Sequence, residues 1–255
     1  FFPQLNVPWR MQTAAEAWAK AAPGRDGGLN CDAFLEGAAA TTAVFNLLGS
    51  VVAAVSKDIS SNAKKLTLAS AGHAEPRTLQ RIIAAEIKAA NGSAKDAAKE
   101  GSAALALLWL ARYLRLVEIM LTAMLRDPEM PLSSCIYEGY EQALQPHHNF
   151  LTRKALGAAI LASPNRDFFY TRLGGDAESV TASIREVLRS YTPIMRRTHE
   201  YLAGLGLEIP PTTRDNAMQV ARRPGRECWL PGLSHDQMRC RWLRNAMSVN
   251  GYNRA

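Results

Sequence analysis

The stretch LALLWLARYLRL, Leu105 to Leu116, decides the fold class of this chain. Leu105, Leu108, Arg112 and Leu116 fall on one side of an α-helix, because residues three or four positions apart share a helix face. Arg112 interrupts the apolar run that contains this stretch, so the run is too short for a membrane span. The sequence therefore predicts a largely buried helix here.

The same kind of sequence continues on both sides of this helix. From about Ala14 to Leu207, Ala- and Leu-rich segments alternate with short breaks that contain Gly or Pro. No segment of alternating β-branched residues competes with them. Helical segments are predicted at residues 14–21, 31–48, 51–70, 77–91, 94–126, 133–144, 147–162, 166–173 and 177–205. The chain is thus predicted to form an all-α domain of about eight helices.

The positive charge of the chain is concentrated at its C-terminal end. The 255 residues carry a formal net charge of +7, and residues 209–255 alone contain eight arginines and three acidic residues. We expect this segment to be a disordered basic extension, since it has no sustained apolar period. Residues 1–12 are predicted to be a disordered N-terminal extension without a secretory signal, with Met11 as a candidate native start. The folded domain is predicted to span residues 13–208.

Four cysteines, Cys31, Cys135, Cys228 and Cys240, are scattered without the C-x-x-C spacing of a redox or zinc site. In a chain of this size the pattern is typical of reduced thiols in the cytosol. Cys228 and Cys240 with His235 match no standard zinc spacing. We expect neither a metal nor a cofactor.

Residues KDISSNAKK, 57–65, place an acid, an amide and a base on one helix face. Asp58, Asn62 and Lys65 are at positions i, i+4 and i+7, which stack along a helix. Together a carboxylate, a carboxamide and an ammonium group match the donors and acceptors of a polyhydroxyl ligand better than an ion pair does. The alternative interpretation is an ordinary solvated helix face with a weak Lys57–Asp58 pair.

Two further side chains each have a structural and a functional interpretation. Trp109, among the leucines of the first stretch, is typical of a core residue, but its indole face also suits the apolar side of a sugar ring. His148, in ALQPHHNF, is typical of a structural hydrogen-bonding residue, but a neutral imidazole can also donate from one nitrogen to a ligand and accept at the other. Neither residue decides the question alone.

Taken together and in this order, the motifs resemble those of the glycolipid transfer protein family. The resemblance runs from about Phe34 to Tyr201, and the combination is much more specific than any single piece. Its pattern is Asp-x-x-x-Asn-x-x-Lys, then a helical Trp-Leu-x-Arg, then a His that precedes an aromatic residue. The similar stretches are FLEG (34–37), FNLLGS (45–50), KDISSNAKKL (57–66), RTLQRIIAAE (77–86), ALLWLARYLR (106–115), YEQAL followed by HH (140–148) and LRSYTPI (188–194).

This resemblance implies a two-layer helical sandwich that holds one sphingolipid, with the sugar headgroup at a surface site and the ceramide chains in an apolar tunnel. It implies that Asp58 takes the ceramide amide or sugar hydroxyls and that Asn62 and Lys65 bond the first sugar. It makes Trp109 the stacking platform and His148 the partner of the ceramide carbonyl.

The residue at position 109 helps to distinguish a sugar headgroup from a phosphate headgroup. A second branch of the family carries ceramide-1-phosphate, and there the resemblance leads us to expect a basic residue at this position. Trp109 and Asn62 resemble the glycolipid branch, because a sugar needs stacking and mixed donors and acceptors whereas phosphate needs charge. Arg112, one helical turn later, is a supporting residue that can orient Asp58, brace the site or touch an anion. Phosphate recognition therefore stays open as the alternative.

Two other parts of the site are expected from the resemblance. Phe150 stands where the glycolipid branch usually has a Trp at the membrane-contact surface, and a Phe lacks the interfacial indole N–H. The continuation of the chain past Leu207 puts in doubt the contact that the family's last residues make with the headgroup region. Residues predicted to line the acyl tunnel, each of which is also an ordinary core residue, are Phe45, Val52, Val55, Leu105, Leu108 and Leu156.

We therefore expect a non-enzymatic, monomeric, cytoplasmic carrier that contacts membranes transiently and moves a glycosphingolipid between them. One alternative is a lipid sensor that uses the same site but acts through a protein partner. A second is an enzyme that uses Asp58, Lys65 and His148 as acid–base groups, although no nucleophile–base pair or metal set accompanies them. A third is a nucleic-acid binder that acts through residues 209–255, but the main domain gives no reason to expect nucleic acid.

Overall fold

The computed structural model describes residues 11–24, 27–48 and 53–208 of the chain, without the side chains of residues 53 and 54. The predicted basic extension, 209–255, lies outside the described residues, as do the first ten residues of the predicted N-terminal extension. Met11 and Gln12, which were assigned to that extension, form the first turn of a helix.

The described part of the chain is entirely helical in its regular structure, and the all-α prediction is confirmed. Eight of its ten α-helices have ten residues or more; a single antiparallel bridge, Asn30 with Thr78, is the nearest approach to a strand in these ranges. The α-helices are α1 (Met11–Lys20), α2 (Cys31–Thr42), α3 (Ala53–Ala71), α4 (Leu79–Ala89), α5 (Ala94–Ala97), α6 (Ala103–Arg126), α7 (Leu132–Ala143), α8 (Phe150–Leu161), α9 (Arg166–Arg172) and α10 (Ala177–Gly204); two 3₁₀ helices span Ala43–Leu48 and Gln145–His147.

Side-chain caps fix where many of these helices begin. In each case the side-chain oxygen of the residue before the helix accepts a backbone N–H of the first turn, which satisfies a donor that has no partner within the helix. Helices capped in this way follow Asn30, Thr78, Ser93, Ser102, Asn149, Asn165 and Asp176. The predicted helical segments therefore begin close to the observed starts.

One predicted segment is wrong, because residues 94–126 form two helices instead of one. Gly101 has a φ of +87°, in the left-handed region that glycine tolerates, and it separates α5 from α6. Ser102 then caps α6, and the carboxylate of Glu86 accepts the backbone N–H groups of Ala103 and Ala104, both at 2.8 Å. This break gives α6 a fixed N-terminus beside the end of α3.

Helix α6 is the central element of the fold. Eighteen of its 24 residues are buried, and it packs against α2, α3, α4, α5, α7 and α10. A helix that is apolar on nearly all sides must be surrounded by other helices. The six residues of α6 that are not buried, the half-buried Trp109 among them, are therefore the places where this helix can meet a ligand.

The side of the domain formed by α1, α2 and α10 is tied to α6 through Trp18. Its indole is fully buried, its Nε1 donates to Thr41 Oγ1 at 2.6 Å, and its ring contacts those of Phe34 and Tyr191. The hydroxyl of Tyr191 in turn donates to the backbone oxygen of Leu114 at 2.6 Å. This network connects α1, α2 and α10 to the backbone of α6 at Leu114.

Cys31 and Cys135 are both buried free thiols, and burial raises the pKa of each to about 11. Cys228, Cys240 and His235 lie outside the described residues. No helix within residues 11–24, 27–48 and 53–208 combines the length and the apolar character needed to cross a bilayer.

Replacing Gly139 with alanine is expected to lower the free energy of unfolding by about 1–3 kcal/mol, the usual cost of overpacking a close contact. An added Cβ would lie 2.5 Å from the backbone oxygen of Leu116, so α6 and α7 would have to separate. Urea unfolding measures the change. The matched control is Gly204→Ala, in α10, where a Cβ has open space and better helix propensity should raise stability slightly. Equal stabilities for the two variants would contradict this packing argument.

Candidate functional site

The three polar residues of α3 lie on one helix, as predicted, but at different depths. Asp58 is exposed, Lys65 is half-buried, and Asn62 is buried. The Asn62 amide nitrogen donates to the backbone oxygen of Asp58 at 3.0 Å. This bond uses one of the two N–H groups of the Asn62 amide. Because Asn62 is buried, Asp58 and Lys65 supply most of the polar surface of these three residues.

The Asp58 carboxylate is held by Tyr113, a residue that sequence reasoning missed. The Tyr113 hydroxyl donates to Oδ2 of Asp58, and the ring is buried in α6, one turn after Trp109. Burial, and then the hydrogen bond to Asp58, raise the pKa of Tyr113, so the phenol remains a donor at physiological pH. The i+4 spacing of Trp109 and Tyr113 could have indicated this neighbour, but not its partner.

Trp109 is half-buried and has a polar environment, unlike its leucine neighbours. The guanidinium carbon of Arg112 lies 5.1 Å from the centroid of the indole ring, within the range of a cation–π contact. The ring of His148 is nearly parallel to the indole, at 16° and 5.9 Å between centroids, and His147 meets it edge-on at 6.3 Å. Trp109 thus joins α6 to the segment between α7 and α8, and its partial exposure distinguishes it from a core residue.

Both cations predicted for this site are paired with carboxylates from distant parts of the chain. Lys65 Nζ lies 3.1 Å from Oε1 of Glu100, in the turn between α5 and α6. Arg112 Nε donates to Oε2 of Glu208 at 2.6 Å, and both of these side chains are buried. Arg112 thus contacts both Glu208 and the indole of Trp109, while Asp58 accepts a hydrogen bond from Tyr113.

His148 is fixed from two sides. Its Nδ1 lies 3.4 Å from the hydroxyl of Tyr140, and Arg153 Nε donates to its backbone oxygen at 2.8 Å. Burial lowers the pKa of His148, the positive charges of Arg153 and Arg112 lower it further, and Asp58 opposes them. The imidazole is therefore neutral at pH 7, with one donor and one acceptor nitrogen.

The titration of His148 can be followed by NMR of the imidazole protons. We expect a midpoint below the reference value of about 6.5, a lower one still in Asp58→Asn, and a higher one in Arg153→Gln. The folded-state pKa lies below the unfolded one, so this group should favour folding above the unfolded pKa and weaken it as acidification proceeds. A higher midpoint in Asp58→Asn or a lower one in Arg153→Gln would contradict the assigned causes.

An apolar cavity of about 30 Å³ lies between α3, α6, α7, α8 and the first 3₁₀ helix. Tyr140 lines this cavity and also contacts His148, so the cavity adjoins the polar cluster. Of the residues predicted for the acyl tunnel, Phe45, Val55 and Leu156 line it.

Leu105 and Leu108 do not line this cavity, and their place in the acyl tunnel stays a prediction. Helix α6 reaches the cavity at Leu116, and a rise of 1.5 Å per residue puts Leu108 roughly 12 Å away along the axis. Val52 lies outside the described residues.

At the start of α8, next to His148, two large apolar side chains face solvent. Phe150 is 64% exposed and Leu151 is 77% exposed, whereas most large apolar residues of the described chain are covered. The ammonium group of Lys154 lies 4.7 Å from the centroid of the Phe150 ring. This edge of the site therefore presents apolar groups together with positive charge.

Comparisons with known proteins point to one family. Residues 29–175 match the family model described as "Glycolipid transfer protein (GLTP)". The glycolipid transfer protein of Danio rerio is 32% identical over 187 residues, which cover 69% of this chain and 88% of that protein. The ceramide-1-phosphate transfer protein of Danio rerio is 30% identical over 174 residues, 65% of this chain and 81% of that protein. The crystal structure of HET-C2, a fungal glycolipid transfer protein, matches with a TM-score of 0.64 and 27% identity over 73% of this chain and 92% of that one.

Proposed function

Since this chain belongs to the glycolipid transfer protein family, we propose that it is a non-enzymatic carrier that binds one glycosphingolipid and moves it between membranes. The observation that carries this proposal is the stack of His148 on Trp109, with His148 in contact with Tyr140, a residue that lines an apolar cavity, and with the Asp58 carboxylate bound by Tyr113. Carbohydrate and hydrocarbon thus have adjacent places in one site.

In this proposal the headgroup is bound by groups of mixed character. Asp58 accepts from the ceramide amide or a sugar hydroxyl, Lys65 and the amide oxygen of Asn62 bond the first sugar, and Trp109 covers its apolar face. His148 donates to the ceramide carbonyl from the nitrogen that does not face Tyr140. The neutral state of His148 suits this donor role without adding charge to the site.

The ceramide chains require the cavity to open. Its 30 Å³ has room for only a few water molecules, far less than a hydrocarbon chain occupies. Each methylene withdrawn from a bilayer into water costs about 0.8 kcal/mol, so a carrier must offer apolar surface as the chains leave. Separation of α8 from α7 would extend the space lined by Phe45, Val55 and Leu156.

Docking to the membrane is proposed for the start of α8. Exposed Phe150 and Leu151 can enter the acyl region while Lys154 and Arg153 remain among the headgroups. Only two apolar residues are involved, so the contact should be weak and reversible, as a carrier requires. We further propose that the protein works as a cytoplasmic monomer.

Ceramide-1-phosphate is the second candidate ligand, because the Danio rerio protein of that name is 30% identical to this chain. The site favours the sugar, since Trp109 replaces a cation and the two cations predicted for the site are paired with carboxylates. A transfer experiment that compares the two lipids tests this proposed preference directly.

The test is transfer of fluorescent galactosylceramide from donor to acceptor vesicles, with fluorescent ceramide-1-phosphate in parallel. We expect transfer of the sugar lipid at rates that rise with protein concentration. Binding of the lipid without transfer would instead support a sensor, and faster transfer of ceramide-1-phosphate would support the alternative ligand. If the protein neither binds nor transfers the sugar lipid, the proposal is wrong.

A further inference from the structure

We propose that Glu100 and Glu208 are specificity-determining residues. They form ion pairs with Lys65 and Arg112, the two cations predicted for the headgroup site, and so exclude phosphate and sulfate headgroups. This inference rests on the proposed function, since it concerns which sphingolipid headgroup the same site accepts. It assigns the discrimination to two carboxylates outside the residues that would touch the sugar.

The first of these carboxylates acts at the surface. Glu100 extends from the turn between α5 and α6 and is 88% exposed in its side chain, while the ammonium group of Lys65 that it meets at 3.1 Å is more sheltered. The rest of that turn is held in place by Gly101 and by the Ser102 cap. An anion that approached Lys65 would meet the Glu100 carboxylate and would have to displace it.

The second carboxylate, Glu208, acts inside the protein, where it pairs with the buried Arg112. Glu208 is the last residue of the described chain, and its buried side chain is bonded to Arg112, which lies against the indole of Trp109. A guanidinium group in this position would otherwise be a strong donor to phosphate, because its planar N–H groups match two oxygens at once. With Glu208 in place, Arg112 supports the ring of Trp109 and its charge is already compensated.

The balance of charge around the site follows from these pairs. Glu100 pairs with Lys65 and Glu208 pairs with Arg112, while the Asp58 carboxylate accepts a hydrogen bond from Tyr113 and His148 is neutral. Sugar hydroxyls can hydrogen-bond to a compensated ion pair, since they both donate and accept. A phosphate adds uncompensated negative charge and is repelled by the carboxylates.

The experiment measures affinity for three lipids with the same ceramide: galactosylceramide, its sulfate ester and ceramide-1-phosphate, each in competition with a fluorescent galactosylceramide. The quantity of interest is the ratio of anionic to neutral affinity. We expect this ratio to rise about threefold in Glu100→Gln, as for an exposed pair, and about tenfold in Glu208→Gln, where the pair is buried. Both gains should shrink at high salt, more so for Glu100.

The matched control is Glu36→Gln. Glu36 makes an exposed ion pair with Lys20 at 2.7 Å between α2 and α1, helices that contribute no residue to the headgroup cluster. This variant changes the net charge by the same amount and should leave the ratio unchanged. A rise equal to that of Glu100→Gln would show a general charge effect and overturn the inference.

Glu208→Gln leaves a buried Arg112 without its counter-charge and can fail to fold. In that case Glu208→Asp, which keeps the charge but retracts the carboxylate, should raise the ratio to a smaller extent. An unchanged ratio in Glu100→Gln and in whichever Glu208 variant folds overturns the inference. If the wild-type chain does not bind galactosylceramide at all, the proposed function fails instead, so the two failures are distinguishable.

Discussion

Replacing Asp58 with valine is expected to weaken glycolipid binding by about 100-fold, because a ligand loses its hydrogen bonds to the carboxylate. Asp58 is exposed, so the helical content should stay the same. Transfer of galactosylceramide between vesicles and its equilibrium binding are the measurements.

The structure supplies a control for the folding side of this change. Asp58→Val leaves the buried hydroxyl of Tyr113 without its acceptor, which should cost about 1–3 kcal/mol of stability. The double variant Asp58→Val with Tyr113→Phe removes that orphaned hydroxyl. It should regain stability but not binding. If the double variant also regains transfer, the carboxylate is not a ligand-binding group.

Replacing Trp109 with alanine is expected to weaken the binding of sugar lipids by about 30-fold, the range of a central aromatic residue in a binding site. The loss has two causes: the sugar ring loses its apolar partner, and Arg112 and His148 lose the ring against which both lie. Trp109→Phe keeps an aromatic face and should lose much less. Binding is measured with galactosylceramide over the pH range in which the protein is folded.

The control for this change is Leu105→Ala, on the same helix. Leu105 is half-buried, packs against the core and does not line the cavity, so its truncation should lower stability without a specific loss of sugar-lipid binding. Similar losses of binding in both variants would mean that Trp109 acts only through the stability of α6.

The fold class and the family could be predicted from the sequence. Short-range patterns determine where helices form, because apolar periodicity and side-chain caps act over three or four residues. The one wrong segment, 94–126, failed for a local reason: Gly101 requires a left-handed backbone, and the turn that it forms is stabilised by Glu86 from another helix. Tertiary contact thus ended a helix that the apolar pattern alone would continue.

The site was predicted only in outline. The order of Asp58, Asn62, Lys65, Trp109 and His148 along the chain indicated a headgroup site, and Trp109 and His148 do lie against each other. These residues remain proposed ligand-binding groups. Local sequence does not tell which leucines of α6 line the cavity: Leu116 lines it and Leu105 and Leu108 do not, although all three lie in the same apolar stretch.

By itself, the sequence determined that the chain is helical and which family it resembles, since helix formation follows from near-neighbour spacing and the resemblance from the order of motifs along the chain. Only the tertiary structure decided the depth of Asn62 and the partners of the charged groups. Tyr113 is 55 residues from Asp58, Glu100 is 35 from Lys65 and Glu208 is 96 from Arg112. Contacts over such separations depend on how whole helices pack, and helix packing is set by the entire core rather than by any local pattern.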